Sequence, residues 1–142
     1  MGRASLPSYR LVFRYALAWP GLLVLAVLNG MVREFGYGPV VGEKCAQQVS
    51  VVPAILLFLA YTAGIFRRWP IGSYATALWI GLVWTVLTVA FELFMVTVLM
   101  GEPLSVAADQ YDLAAGQLWP VVVAATFFLP SFVTWLNKTK GR

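Results

Sequence analysis

The chain has 142 residues, enough for one domain, and 61% of them are hydrophobic while only 11% are charged; a soluble domain carries roughly 25% charged residues, so this surface is built to face lipid. With no histidine and one cysteine, Cys45, the chain excludes an imidazole base or metal ligand, an internal disulfide, a CxxC motif and an iron–sulfur cluster of its own. The net charge of +4 reads as a membrane-topology signal and asks for no nucleic acid.

Four apolar stretches predict an all-α, polytopic membrane protein: a four-transmembrane-helix bundle in a single membrane domain, residues 1–142, with spans at about 15–34, 48–66, 72–100 and 118–136. Each stretch is near or above the 18 or so apolar residues that suggest a span. One short chain cannot close a barrel, and an open sheet edge is too costly in lipid, so the spans are helices.

At the N-terminus, Arg3, Arg10 and Arg14 precede the first apolar run. No A-x-A-like site follows it, so it reads as a retained helix rather than a signal peptide. Leu6 in "MGRASL" departs from the myristoylation pattern. Span one ends in "LNGMVRE", where Asn29 and Arg33 lie four apart on one helical face. The connection "REFGYGPVVGEKCAQQ" has three glycines and a proline, which predicts irregular backbone. Cys45 within it reads as a small buried or interfacial residue, or as a thiol whose pKa Lys44 lowers a little.

Span two opens with Gln47, Gln48 and Ser50, and Pro53 is placed in its first turn. The loop "RRWPIGS" is a tight turn that predicts a hairpin of spans two and three. Span three carries the one intramembrane carboxylate, Glu92, in "TVAFELFMV". Gly81, Thr85, Thr88 and Glu92 share one face, through steps of four, three and four. That face is small and polar, and suits either helix packing or a site.

The next connection, "GEPLSVAADQYDLAAGQ", predicts a short interfacial helix between spans three and four. It starts at Pro103, with Leu104, Ala107, Ala108 and Tyr111 at helical spacing. Asp109 and Asp112 are too few ligands for a divalent metal, and Asp112 is placed as a cap for a helix from Leu113. Pro120 fits the start of span four, while Pro20 and Pro130 fall inside or near the ends of spans one and four.

Arg3, Arg10, Arg14, Arg67, Arg68, Lys138, Lys140 and Arg142 fall on one side of this topology. Arg33 and Lys44 fall on the other, with Glu34, Glu43, Glu102, Asp109 and Asp112. The positive-inside rule puts both termini in the cytoplasm. Trp19, Trp69 and Trp135 are read as markers of the inner interface and Trp119 of the outer one.

Glu92 lies about 12 Å along a helix axis from Met100, within the outer leaflet. An unpaired charge there costs at least a few kcal/mol, so Glu92 must be protonated, paired or in a wet cavity. Arg33 has the reach to pair with it, and Asn29 can add a hydrogen bond. The expected intramembrane polar cluster is Asn29, Arg33, Gln47, Thr88 and Glu92, with Glu34, Tyr111 and Asp112 as outer-face candidates. Three uses are open: an ion pair that fixes helix register, a site for an ion, proton or head group, or a contact with a partner protein.

The motifs "LNGMVRE", "TVAFE" and "YDLAAGQLWP" carry a resemblance over most of the chain. The sequence resembles a group of uncharacterised small bacterial inner-membrane proteins with four helices. The resemblance implies a bacterial inner membrane and no particular activity. Three functions are then open. The first is an accessory, scaffold or self-associating subunit, which suits the pairs Ala60/Gly64 and Ala77/Gly81. The second is a small homo-oligomeric transporter, channel or proton-coupled module using Glu92 and Arg33. The third is an outer-face enzyme handling lipid head groups. The expected partners are membrane lipid and another membrane protein or a second copy. The sequence points to no cofactor, metal site or catalytic residue.

Overall fold

In hydrocarbon no water satisfies a bare N–H or C=O, so an apolar run must satisfy its backbone within itself, as a helix does. A computed structural model of the protein describes residues 8–141. Arg3, Arg142 and the start "MGRASL" lie outside them. Four rods are long and apolar enough to cross a membrane: Tyr9–Val41, Glu43–Arg68, Tyr74–Leu99 and Trp119–Lys140. The protein is an all-α, multi-pass membrane protein built as a four-helix bundle.

The first rod comprises α1 (Tyr9–Met31), a π-helical segment (Val32–Tyr37) and the short α2 (Gly38–Val41). The second is α3 (Glu43–Arg68), and the third is α4 (Tyr74–Phe94) with a second π-helical segment (Met95–Leu99). After the short α5 (Leu104–Asp109), α6 (Trp119–Lys140) forms the fourth. One end of the bundle carries Arg10, Arg14, Arg67, Arg68, Lys138 and Lys140; we call it the basic end. The other carries Glu34, Glu43, Glu102, Asp109 and Asp112, and is the acidic end.

The first connection is not irregular. The amide of Gly38 donates to the carbonyl of Arg33, five residues back, so the helix widens into a π turn instead of breaking. Pro39 falls in the first turn of α2, where its missing N–H costs nothing. The chain reverses at Gly42 alone, whose φ of 87° suits a residue with no Cβ. Because α3 then begins at Glu43, Pro53 lies inside the helix rather than in its first turn. The helix between spans three and four is shorter than its pattern predicts: six residues, ending before Tyr111, with Ala107 buried and Leu104 exposed.

The rods form a ring. α1 packs on α3 and α4, and α6 packs on the same two. Spans two and three, expected as a hairpin, therefore stand on a diagonal. Their connection, residues 69–73, is long enough for this. Five extended residues reach at most about 17 Å, and four helices spaced roughly 9 Å apart have a diagonal of about 13 Å. The crossing is pinned from beneath, where the Tyr15 hydroxyl donates to the carbonyl of Trp69 at 2.6 Å. Ile71 is buried beside it.

The core is gathered around Tyr15, Phe66, Ile80, Trp84 and Val133. Its buried polar atoms are answered locally. The Trp84 indole donates to the carbonyl of Tyr15 at 2.7 Å. Thr62, Thr85, Thr126 and Thr134 each bond the carbonyl four residues back in their own helix. The proton of each hydroxyl is thereby used within its own helix.

Candidate functional site

Glu92 stands one turn before α4 gives way to its π-helical segment, and it is only 9% exposed. Its Oε2 accepts from the Tyr111 hydroxyl at 2.6 Å and from the Trp119 indole at 2.9 Å. An indole can only donate, so the carboxylate oxygen is the acceptor. The Trp119 N–H also lies 3.3 Å from the Tyr111 oxygen, which closes a triangle of three polar groups.

The connection after α5 is folded to bring Tyr111 and Trp119 together. The Asp112 carboxylate accepts from the amide of Ala115 at 3.0 Å, and the amide of Gln117 reaches back to the carbonyl of Asp112 at 3.1 Å. Gly116 turns the chain at a φ of 84°. The side chain of Gln48 on α3 holds that turn, donating to the Gly116 carbonyl at 3.0 Å. Asp112 thus caps a turn, not the helix of span four, which starts at Trp119.

Glu92 and Trp119 of this triangle form part of the wall of a cavity of about 510 Å³ at the acidic end of the bundle, with Tyr111 behind them. Asn29, Arg33, Gln47, Thr88 and Glu92 all line it, so the five residues grouped from the sequence do share one space. The expected ion pair is absent: Glu92 takes its hydrogen bonds from Tyr111 and Trp119, and the Arg33 guanidinium bonds no other described residue. Asn29 donates to the carbonyl of Ser50 at 3.0 Å, tying α1 to α3. Gln47 lines the cavity, and its backbone carbonyl accepts from the Ser50 hydroxyl. Thr88 donates to the carbonyl of Trp84 and accepts from the Trp19 indole at 3.1 Å. Trp19, expected as a marker of the inner interface, is half-buried and ties α1 to α4 through this bond. Glu34 is exposed and lines a separate, smaller pocket with Arg33, Glu43 and Gln47.

The deeper wall is apolar, with Leu22, Ala54, Phe58 and Val122, while Asp109, Gln110 and Gln117 lie at the rim. Side chains of all four rods line the cavity, those of the first and third rods among them. There the segment Val32–Tyr37 packs on α3, the segment Met95–Leu99 packs on α5, and the two do not touch. The exposed side chains of Val27 and Met100 form part of the wall on either side.

No family model, curated protein or solved structure matches the chain.

The chemistry on offer is a buried acceptor, a free guanidinium and an apolar floor. Among the described residues no three His, Cys, Asp or Glu side chains cluster as a metal site would need. Sequence reasoning missed two anchors, Trp119 and Gln48. The usable signal was that an indole N–H inside a bundle needs an acceptor, and Glu92 is the one carboxylate within the four apolar spans.

Burial pushes the Tyr111 phenol up to about 12 from its ordinary 10; the hydrogen bond to Glu92 adds to the rise and the one from Trp119 opposes it. The folded protein thus keeps this proton to higher pH than the unfolded chain does. The stability it lends is whole below pH 10 and is lost between 10 and about 12. The difference in phenolate absorbance between wild type and Tyr111→Phe should titrate near the upper value, and Glu92→Gln should bring it down. A midpoint of 10 in the wild type would contradict the contact.

Proposed function

We propose that the protein binds one amphiphilic molecule from the outer leaflet of a bacterial inner membrane, as a small binding or transport module. The cavity at the acidic end of the bundle carries this reading. A polar upper wall with Glu92 and Arg33 suits a head group, and an apolar floor with Phe58 and Val122 suits a chain. Val27 and Met100 both line the cavity and are exposed, so in this reading a lipid enters from the side between them. In this reading the basic end faces the cytoplasm, so both termini are cytoplasmic and Glu92 lies in the outer half.

Native mass spectrometry on protein extracted gently from its own membrane tests the reading. Wild type should retain one lipid-sized molecule per chain. Ala26→Trp, which puts an indole into the cavity, should release that molecule and leave the fold intact. A stoichiometric second polypeptide with no retained small molecule would overturn the binding reading in favour of an accessory subunit. That second reading is favoured by Ala60 and Gly64, both exposed on α3. The other small pair does not support it, because Ala77 is fully buried and Gly81 lies against Phe127 of the same chain.

Orientation has its own test. Cys45 is an exposed free thiol in the first turn of α3, at the acidic end. A membrane-impermeant maleimide should label it in intact spheroplasts to the same extent as in lysed ones. Labelling only after lysis would reverse the topology.

A further inference from the structure

Two opposite charges line one cavity and neither is neutralised by the other. A carboxylate and a guanidinium in contact would form a strong, mutually satisfying pair. Here each is held in place by something else. Glu92 is fixed through Oε2 by Tyr111 and Trp119, while its Oε1 is buried and accepts no hydrogen bond from the protein. Arg33 sits in the π-helical segment of the first rod, which leans on α3 and away from α4. An unanswered acceptor on a buried carboxylate is costly, and a ligand group with an N–H or O–H would remove that cost.

The cavity's other walls narrow the ligand class. Trp19 and Phe91, in edge contact at 5.9 Å, line it together with Trp119. Aromatic faces near a carboxylate suit an organic ammonium. A divalent metal would need several oxygen ligands, and one carboxylate with two indoles does not supply them. A purely anionic head group on Arg33 would sit in the same low-dielectric space as Glu92 and be repelled by it. A quaternary ammonium has no N–H to give.

We infer that the ligand is a zwitterionic amphiphile, with an anionic group on Arg33 and a primary ammonium on Glu92, the head-group chemistry of an aminophospholipid. This rests on the binding reading above and adds the head group to it.

The test is a titration of delipidated full-length protein in detergent, read by native mass spectrometry. The probes are phosphatidylethanolamine, phosphatidylcholine and phosphatidylglycerol with matched chains, and water-soluble glycerophosphoethanolamine. Phosphatidylethanolamine should bind at least about tenfold more tightly than either other lipid, the worth of one charge-assisted hydrogen bond. Glu92→Gln should erase its advantage over phosphatidylglycerol. Arg33→Gln should weaken both by about tenfold. The Arg33 guanidinium bonds nothing else in the described protein, so this second variant stays informative if the first fails to fold. Equal affinity for phosphatidylethanolamine and phosphatidylglycerol, or indifference to Arg33→Gln, would overturn the zwitterion and leave amphiphile binding standing. Failure of every lipid to bind would overturn both. Competition by glycerophosphoethanolamine at equal concentration would uphold the head-group chemistry and place its source in water.

Discussion

Gly81→Ala should destabilise the bundle more than any other single added methyl group. A Cβ at Gly81 would collide with the backbone carbonyl of Phe127 on α6, with the Phe127 Cα only 3.3 Å away. A side chain could rotate aside, but helix backbone cannot, so α4 and α6 would have to separate. Overpacking of this kind costs about 1–3 kcal/mol and sometimes more. The cost is felt sharply in a membrane, where helices associate by close packing rather than by expelling water. Two controls frame the result. Gly64 has nothing within 4 Å of its would-be Cβ, so Gly64→Ala should be neutral or slightly stabilising through helix propensity. Gly21 faces the ring and hydroxyl of Tyr61, which can swing away at the loss of its 2.7 Å bond to the carbonyl of Ala18. Gly21→Ala should therefore fall between the two. In detergent, thermal unfolding of Gly81→Ala should drop by at least ~5 °C, at a few degrees per kcal/mol. A midpoint equal to that of Gly64→Ala would mean that α4 and α6 do not cross so closely.

Much of this architecture is legible in the sequence because lipid leaves few choices. An apolar run must become a helix, and the run lengths place four of them. The rods overrun the predicted spans because helices continue through the polar ends: α1 begins at Tyr9, and its rod reaches Val41. Hydropathy marks hydrocarbon, not hydrogen bonding. Helix order was not legible. A five-residue turn between spans two and three is compatible with neighbours or with a diagonal, and only the fit of Ile71 and Trp69 over Tyr15 decides it.

The cavity shows the same division. Asn29, Arg33, Gln47, Thr88 and Glu92 could be grouped because they share faces and depth. The partner of Glu92 could not be chosen that way. Arg33 attracts attention by charge, yet Tyr111 and Trp119 win by geometry, through a turn set by Asp112, Gly116 and Gln48. Trp119 also sits where an aromatic belt is expected, and that ordinary reading concealed its hydrogen bond.

Glu92→Ala should loosen the connection before α6 far more than it unfolds the bundle. Two terms compete in global stability. The Tyr111 hydroxyl loses its acceptor and the Trp119 indole keeps only the longer contact to the Tyr111 oxygen, at about 1–3 kcal/mol for a donor left buried and unanswered. Against this, a buried carboxylate with one unanswered oxygen is removed, which is itself favourable. Their near cancellation should leave the melting temperature closer to wild type than Gly81→Ala does. The local effect has no such offset. Tyr111 is half-buried and its hydroxyl donates to Glu92 alone, keeping only the longer 3.3 Å contact from Trp119 when the carboxylate goes, so the turn from Asp112 to Gly116 should open more often. The amides of Gly116 and Gln117, which bond the carbonyls of Leu113 and Asp112, report this directly. Their hydrogen exchange should rise roughly 10- to 100-fold, the equivalent of 1–3 kcal/mol. Glu92→Gln should give a smaller rise, since the amide oxygen can still accept from Trp119. The tether from Gln48 to Gly116 acts at the other edge of the turn. Adding Gln48→Ala to Glu92→Ala should therefore exceed the sum of the two single changes, as residues closing one loop from both sides do. Unchanged exchange at both amides in Glu92→Ala would mean that the turn stands without the carboxylate. Tyr111 and Trp119 would then be neighbours of Glu92 rather than parts of a shared site.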